Sequence, residues 1–324
     1  LTAIALALVL RYFTLEAFKI PTGSMGITLF GHHAWKSCPN CGYRFAVDVP
    51  AENRTGGIDL RIAEKVRYEK VLCPSCKAPN FLYEDALAPA RCQVCGASLP
   101  RTGKLSEATV FRRNAKTGQL LELVCPVCGF RYHEPIFLKE STTGDHLFVD
   151  KLYYKLIRPK RFDVIVFRFN RQQNYIKRLI AFGGEKVDLR AGDVYICSPS
   201  ETDFKIARKP PGTLEAVLRL VHDSSRREKG FNKQPAWESI PTSQGTQIFR
   251  SQVLWRPDLG ILDFNVSNCK GIARYARPIT DYSSFNAVTS LPIEGQLVAD
   301  RRMAFKVAPV SSANGGNFRI IMQD

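Results

Sequence analysis

The chain has 324 residues, 45% of them apolar and 23% charged. These values exclude a disordered polypeptide and leave room for two or three folded domains. The net charge of +16 calls for an anionic partner, nucleic acid or the surface of an acidic membrane, and does not by itself choose between them.

In chain order, Leu1 to Leu10 reads LTAIALALVL without a charge; Arg11 interrupts the run, and Tyr12, Phe13, Leu15, Ala17 and Phe18 continue it. A bilayer span needs about 20 mainly apolar residues. Residues 1–18 are therefore read as a transmembrane anchor, with a buried helix of a soluble domain as the alternative. Arg11 and Glu16 lie toward the end of the run, where long side chains can reach the interface. No small-x-small cleavage site follows. The chain opens at Leu1 rather than Met and closes at Asp324 inside a strand-like pattern, so it is expected to be a piece cut at both ends.

Next comes Phe18-Lys19-Ile20-Pro21-Thr22-Gly23-Ser24-Met25-Gly26-Ile27-Thr28-Leu29. Pro21 ends a helix, and Gly23 and Gly26 let backbone approach closely on either side of Ser24. A Ser in this setting is a poor core residue and a candidate nucleophile. It needs a base, and none is nearby in sequence.

Ten cysteines are present, and four Cys-x-x-Cys pairs account for all but Cys197 and Cys269, which read as ordinary thiols. The pairs are Cys38/Cys41, Cys73/Cys76, Cys92/Cys95 and Cys125/Cys128. Each such turn offers two thiolates to one ion, and two turns complete a tetrahedral zinc site. Two structural zinc ions are expected in a zinc-ribbon insertion over 32–142. The inner pairs fit one compact ribbon and the outer pairs would close around it; sequential pairing is the alternative. His32, His33 and His133 lie near the knuckles and read as structural or solvated, since eight cysteines fill two sites. Arg112, Arg113 and Lys116 read as a solvated face rather than a nucleic-acid surface.

After a Gly144-Asp145 turn the chain returns to strand patterns. Asp163 to Phe169 and Asn174 to Phe182 read as a hairpin. Along its second arm Tyr175, Lys177 and Leu179 share one face, and Ile176, Arg178 and Ile180 the other. A Lys on an apolar face either keeps its head in water or loses its proton, and a neutral amine is a general base. Past Lys209-Pro210-Pro211 a short helix is expected over 213–223. Short apolar runs then follow, between turn signals, and suggest an incomplete β-sandwich over 211–324. Asn265-Val266-Ser267 is a formal glycosylation sequon.

Ser24 and Lys177 together form a possible dyad, which needs no His or Asp. FKIPTGSMGITL resembles the nucleophile box of the type I signal peptidases, close to P-S-x-S-M-x-P-T-L. GDHLFVDKLYY resembles their next box, and RFDVIVFRF followed by NYIKRLIAFGGEKVDL resembles the box carrying the lysine base. The boxes come in family order.

The resemblance implies a mainly β, signal-peptidase-like fold behind the N-terminal transmembrane helix, with a peptidase core of 19–31 and 143–210. It implies Ser24 as nucleophile, Lys177 as base, and Thr22 with the Ser24 N–H as support for the oxyanion. Met25, Tyr175 and Ile176 would contact substrate. The implied partners are signal-peptide-bearing preproteins and anionic lipid, with no nucleic acid and no catalytic cofactor. The implied place is the plasma or inner membrane, with the catalytic domain on its outer or periplasmic face. Ile27 stands where the family has Pro, and Phe162 where it has Gly. The final family box, Gly-Asp-Asn…Ser…Asp-Ser-Arg, is not found, and is expected beyond Asp324. Two rival readings stand beside this one. The first is a catalytically impaired scaffold acting as a membrane-tethered zinc-ribbon binding protein. The second is a relative of the self-cleaving stress-response repressors, which the anchor and the lack of a helix-turn-helix pattern disfavour.

Overall fold

The computed structural model describes residues 2, 14–50, 58–86, 90–112, 120–170, 174–231, 234–240, 242–244, 247–249, 253–264, 271–277, 279–282, 292–297 and 301–306. The apolar run over 3–13, Arg113, Lys116, Cys269 and the sequon lie outside these residues. The fold is mainly β. Among the described residues no helix is long and apolar enough to cross a membrane.

Strand β1 (Leu15–Lys19) corrects one boundary, since the end of the expected anchor is extended. Its alternating exposure suits an edge pair better than a span buried all round. The cysteine module follows, with β2 (His33–Ser37) and β3 (Arg44–Asp48) forming a hairpin whose tip is the Cys38–Cys41 knuckle. Strands β4 (Glu64–Leu72), β5 (Pro79–Tyr83), β6 (Ser106–Phe111), β7 (Glu122–Val124), β8 (Arg131–His133) and β9 (Ile136–Phe137) come next. They give a four-stranded sheet in the order β5-β4-β6-β9 and the separate pair β7-β8. Strand β10 (Ser141–Thr142) adds to β2, and β11 (His146–Asp150) pairs antiparallel with β1, Leu15 opposite Asp150 and Lys19 opposite His146. The chain thus leaves for the module and returns beside its own departure point.

Strands β12 (Val164–Arg168) and β13 (Asn174–Arg178) form the expected hairpin, Ile165 opposite Lys177. Strands β14 (Lys186–Arg190), β15 (Asp193–Cys197) and β16 (Lys205–Ile206) make a small antiparallel sheet. The later helix spans Pro211–Val217, earlier and shorter than expected, with Pro in its first turn, where the missing N–H is not needed. Beyond it the described strands form two-stranded antiparallel pairs. Part of this region is organised around rings: His222 packs against Trp237, Trp255 and Tyr275.

The largest core lies in the cysteine module, where Phe111, Ile136, Leu123 and Tyr132 surround Cys38, Cys41, Cys125 and Cys128. Arg112, expected on a solvated face, is buried there. It bridges Asp85 and Glu64 and lies over the Tyr83 ring. Paired charges and a ring face replace the water it lost. His32 and His33 are also buried.

Candidate active site and metal centres

Pro21 to Phe30 is held at both ends by backbone. Ile20 N–H donates to Asp145 O (2.9 Å), and Asp145 N–H donates to Phe30 O (2.9 Å). Phe30 N–H in turn donates to Asp145 Oδ2 (2.8 Å). Between these anchors Gly23–Met25 forms a single 3₁₀ turn, closed by Gly26 N–H on Gly23 O at 2.9 Å. The turn buries Met25 and leaves Ser24 exposed. Thr22 precedes it in extended conformation with its side chain exposed. The Gly26–Ile27 peptide is cis.

Strand β13 brings Lys177 to this turn. Its Nζ donates to Ser24 Oγ at 2.7 Å and to Ile176 O at 2.9 Å, and lies over the Tyr175 ring at 5.7 Å. Lys177 is more exposed than its apolar-face position suggested. Partial desolvation nonetheless pulls its ammonium below the usual lysine range. Tyr175 is exposed and stacks on Phe169, while Ile176 is half-buried.

Arg178, not singled out from sequence, ties the base strand to both neighbours. Its guanidinium donates to Phe162 O (2.9 Å) and to Thr28 Oγ1 (3.0 Å), and Thr28 Oγ1 donates to Ala216 O (3.0 Å). Phe162 sits at φ 72° and is only 4% exposed. A left-handed backbone disfavours a residue with a Cβ by roughly 1–2 kcal/mol. Burial against Val194 and Ile196 offsets that strain. The Gly expected from the resemblance at this position was the available signal for it.

The four knuckles share one backbone form. In each, the residue after the second Cys has positive φ and donates its N–H to the first Cys carbonyl: Gly42, Lys77, Gly96 and Gly129, with φ of 71°, 61°, 74° and 68°. Cys38, Cys41, Cys125 and Cys128 converge, as do Cys73, Cys76, Cys92 and Cys95. Sγ···Sγ distances are 3.6 Å (Cys38–Cys128), 3.7 Å (Cys41–Cys125) and 3.6 Å (Cys73–Cys95 and Cys76–Cys92). A tetrahedral ion with bonds of about 2.3 Å to sulfur has ligand edges of about 3.8 Å, so both sets fit such an ion. Hydrogen bonding with Cys125 holds the Cys41 thiol low, while contact with Cys128 pushes Cys125 up. The Cys76 N–H lowers Cys73 to about 6. Four crowded thiols share few protons readily, and a cation resolves that conflict.

The family model described as "Signal peptidase, peptidase S26" matches residues 138–234. That segment is similar to the signal peptidases. It includes Lys177 but begins after Ser24, because the cysteine module separates the two in sequence. The chain is also 35% identical over 54 residues to "Signal peptidase I" of Bacillus caldolyticus, a match covering 17% of this chain and 30% of that protein. No solved structure matches the chain.

Proposed function

We propose that the chain is a membrane-bound serine endopeptidase that removes signal peptides from preproteins. The observation that carries this reading is the 2.7 Å contact between Lys177 Nζ and Ser24 Oγ, made between residues from opposite sides of the cysteine module. Neutral Lys177 takes the Ser24 hydroxyl proton as Oγ attacks the scissile carbonyl. The Ser24 N–H and the Thr22 hydroxyl stabilise the oxyanion. Lys177 returns the proton to the leaving amine. It then deprotonates the water that hydrolyses the acyl-enzyme.

In this structure the ammonium donates to Oγ, so the base form requires a further fall in its pKa. A substrate strand laid along the free edge of β13, over Tyr175 and Ile176, supplies that desolvation. Met25, beneath the turn, would back the substrate side chain nearest the cut. Attachment to the membrane is supported by Leu15 on β1, Phe148 on its partner β11 and Leu156 soon after, all of them exposed. The +16 charge suits anionic lipid there. The catalytic domain then faces the outer or periplasmic side. Cys38, Cys41, Cys125 and Cys128 would hold one zinc ion, and Cys73, Cys76, Cys92 and Cys95 another. Each ion would supply a structural cross-link and no catalytic step.

The test is cleavage of a signal-peptide-bearing preprotein by the full chain in lipid. Ser24→Ala and Lys177→Ala are each expected to lower kcat by at least about 10³-fold. Equal cleavage by all three proteins sinks the dyad. An inactive parent that still binds leader peptides favours the binding-scaffold reading instead.

A further inference from the structure

The residues assigned above leave one carboxylate beside them without a role. Asp48 ends β3, at the opposite end of the hairpin from the Cys38–Cys41 knuckle. It lies against the nucleophile turn. A Cβ built on Gly23 would stand 2.3 Å from Asp48 Oδ1 and 2.4 Å from Oδ2, so a side chain here would displace the carboxylate. The Gly23 N–H faces the carboxylate and favours its charged form.

Among the described residues Asp48 Oδ1 has no hydrogen-bond partner, and burial pushes the carboxyl up to about 7. A buried, half-satisfied carboxylate is destabilising. His33, opposite Asp48 in the register, turns its ring nitrogens to Gly31 O (2.8 Å) and Thr142 Oγ1 (3.1 Å) instead. Backbone joins the same two parts. His32 N–H donates to Pro21 O (3.3 Å), and Val49 N–H donates to His32 O (2.8 Å).

We propose that Asp48 is a positioning residue, through which the cysteine-stapled hairpin β2–β3 sets the Gly23–Ser24–Met25 turn. Its carboxylate holds the Thr22–Gly23 peptide from below, while Gly26 N–H holds the Gly23 carbonyl from the other side. Both oxyanion donors, the Thr22 hydroxyl and the Ser24 N–H, flank that peptide. The catalytic consequence rests on the Ser24–Lys177 reading; the hold on the turn does not.

The experiment uses the full chain with Asp48→Ala, Asp48→Asn and Gly23→Ala. Amide hydrogen exchange over residues 20–31 is read without substrate, and kcat and KM are read on a signal-peptide-bearing substrate. Asp48→Ala is expected to speed exchange at residues 22–26 and to lower kcat roughly tenfold or more with KM within about twofold, since a misplaced catalytic group loses rate rather than affinity. Asp48→Asn restores most of both, because its amide oxygen can turn to face the same Gly23 N–H. Unchanged exchange in Asp48→Ala, or an Asn variant as impaired as Ala, overturns the proposal. If Asp48→Ala also loses protection at 33–37, the hairpin has unfolded and Gly23→Ala decides. Its methyl enters the carboxylate from the turn side, and unchanged exchange there overturns the proposal. If the parent cleaves nothing, the peptidase reading fails while the exchange data still judge Asp48.

Discussion

In the cysteine module Phe111, Ile136, Val110 and Cys125 are wholly shielded from solvent, whereas after it Phe148 is 77% exposed, Leu189 64% and Phe169 60%. The module gathers one large core around Cys38, Cys41, Cys125 and Cys128. The core described in the segment that the family model matches is Phe162, Val194 and Ile196. The two regions reach order by different means. Knuckles fix their own backbone within six residues, and two of them bring four sulfurs together. The strands on either side of the module instead depend on partners far away, β1 on β11 and the Ser24 turn on β13. The module therefore does more than separate two boxes. It returns the chain to its starting point, and its hairpin end lies against the Ser24 turn.

The largest test of this contrast compares the two sulfur clusters. Cys125 is buried in the large core, while Cys95 is exposed at the edge of a smaller one. Cys125→Ser is expected to lose one metal equivalent and unfold the module, since structural zinc contributes on the order of 10 kcal/mol. Cys95→Ser should lose its ion with a smaller fall in Tm. Metal analysis with thermal melts checks both. Similar melting of the two variants would remove the distinction between the clusters.

The contact between the regions titrates. Asp48 has its carboxyl raised by burial from 3.8 to about 7. Between those values the folded chain keeps a proton that the unfolded chain releases, so stability is full below about pH 4 and falls as pH rises toward 7. Asp48→Asn removes this loss. Its stability relative to the parent should rise across that window by up to about 4 kcal/mol, at ~1.4 kcal/mol per pH unit. Denaturant melts at pH 4 and pH 8 measure it, and a difference independent of pH would show that the carboxylate is not buried as described.

The smallest effect lies within one knuckle. Lys77 holds the positive φ that Gly holds in the other three, and its Nζ donates to Pro74 O at 2.9 Å on the surface. Lys77→Gly is expected to stabilise the second cluster by roughly 1 kcal/mol, the strain of a left-handed residue exceeding the loss of an exposed bond. A fall in Tm would show that the Pro74 contact matters more than the backbone.

Some of this was legible in the chain alone. Cys-x-x-Cys spacing is a local code, so all eight sulfur positions could be named without a structure, and the motif order picked out Ser24 and Lys177. The β12–β13 hairpin followed from alternation around a polar loop. Other features depend on long-range contact and left little local trace. Leu15–Phe18 read as the end of an apolar helix because composition does not reveal that His146–Asp150 will pair with it. Arg112 read as solvated because Asp85 and Glu64, its partners, lie far away in sequence. Asp48 carried no signal, because an acidic residue at a strand end is ordinary until Gly23 is placed on it. The sequence by itself determined the chemistry available, namely a hydroxyl, an amine and eight thiols at set spacings. Only the tertiary structure decided which of these meet, because the 2.7 Å contact between Lys177 and Ser24 exists only once the module has folded the chain back on itself.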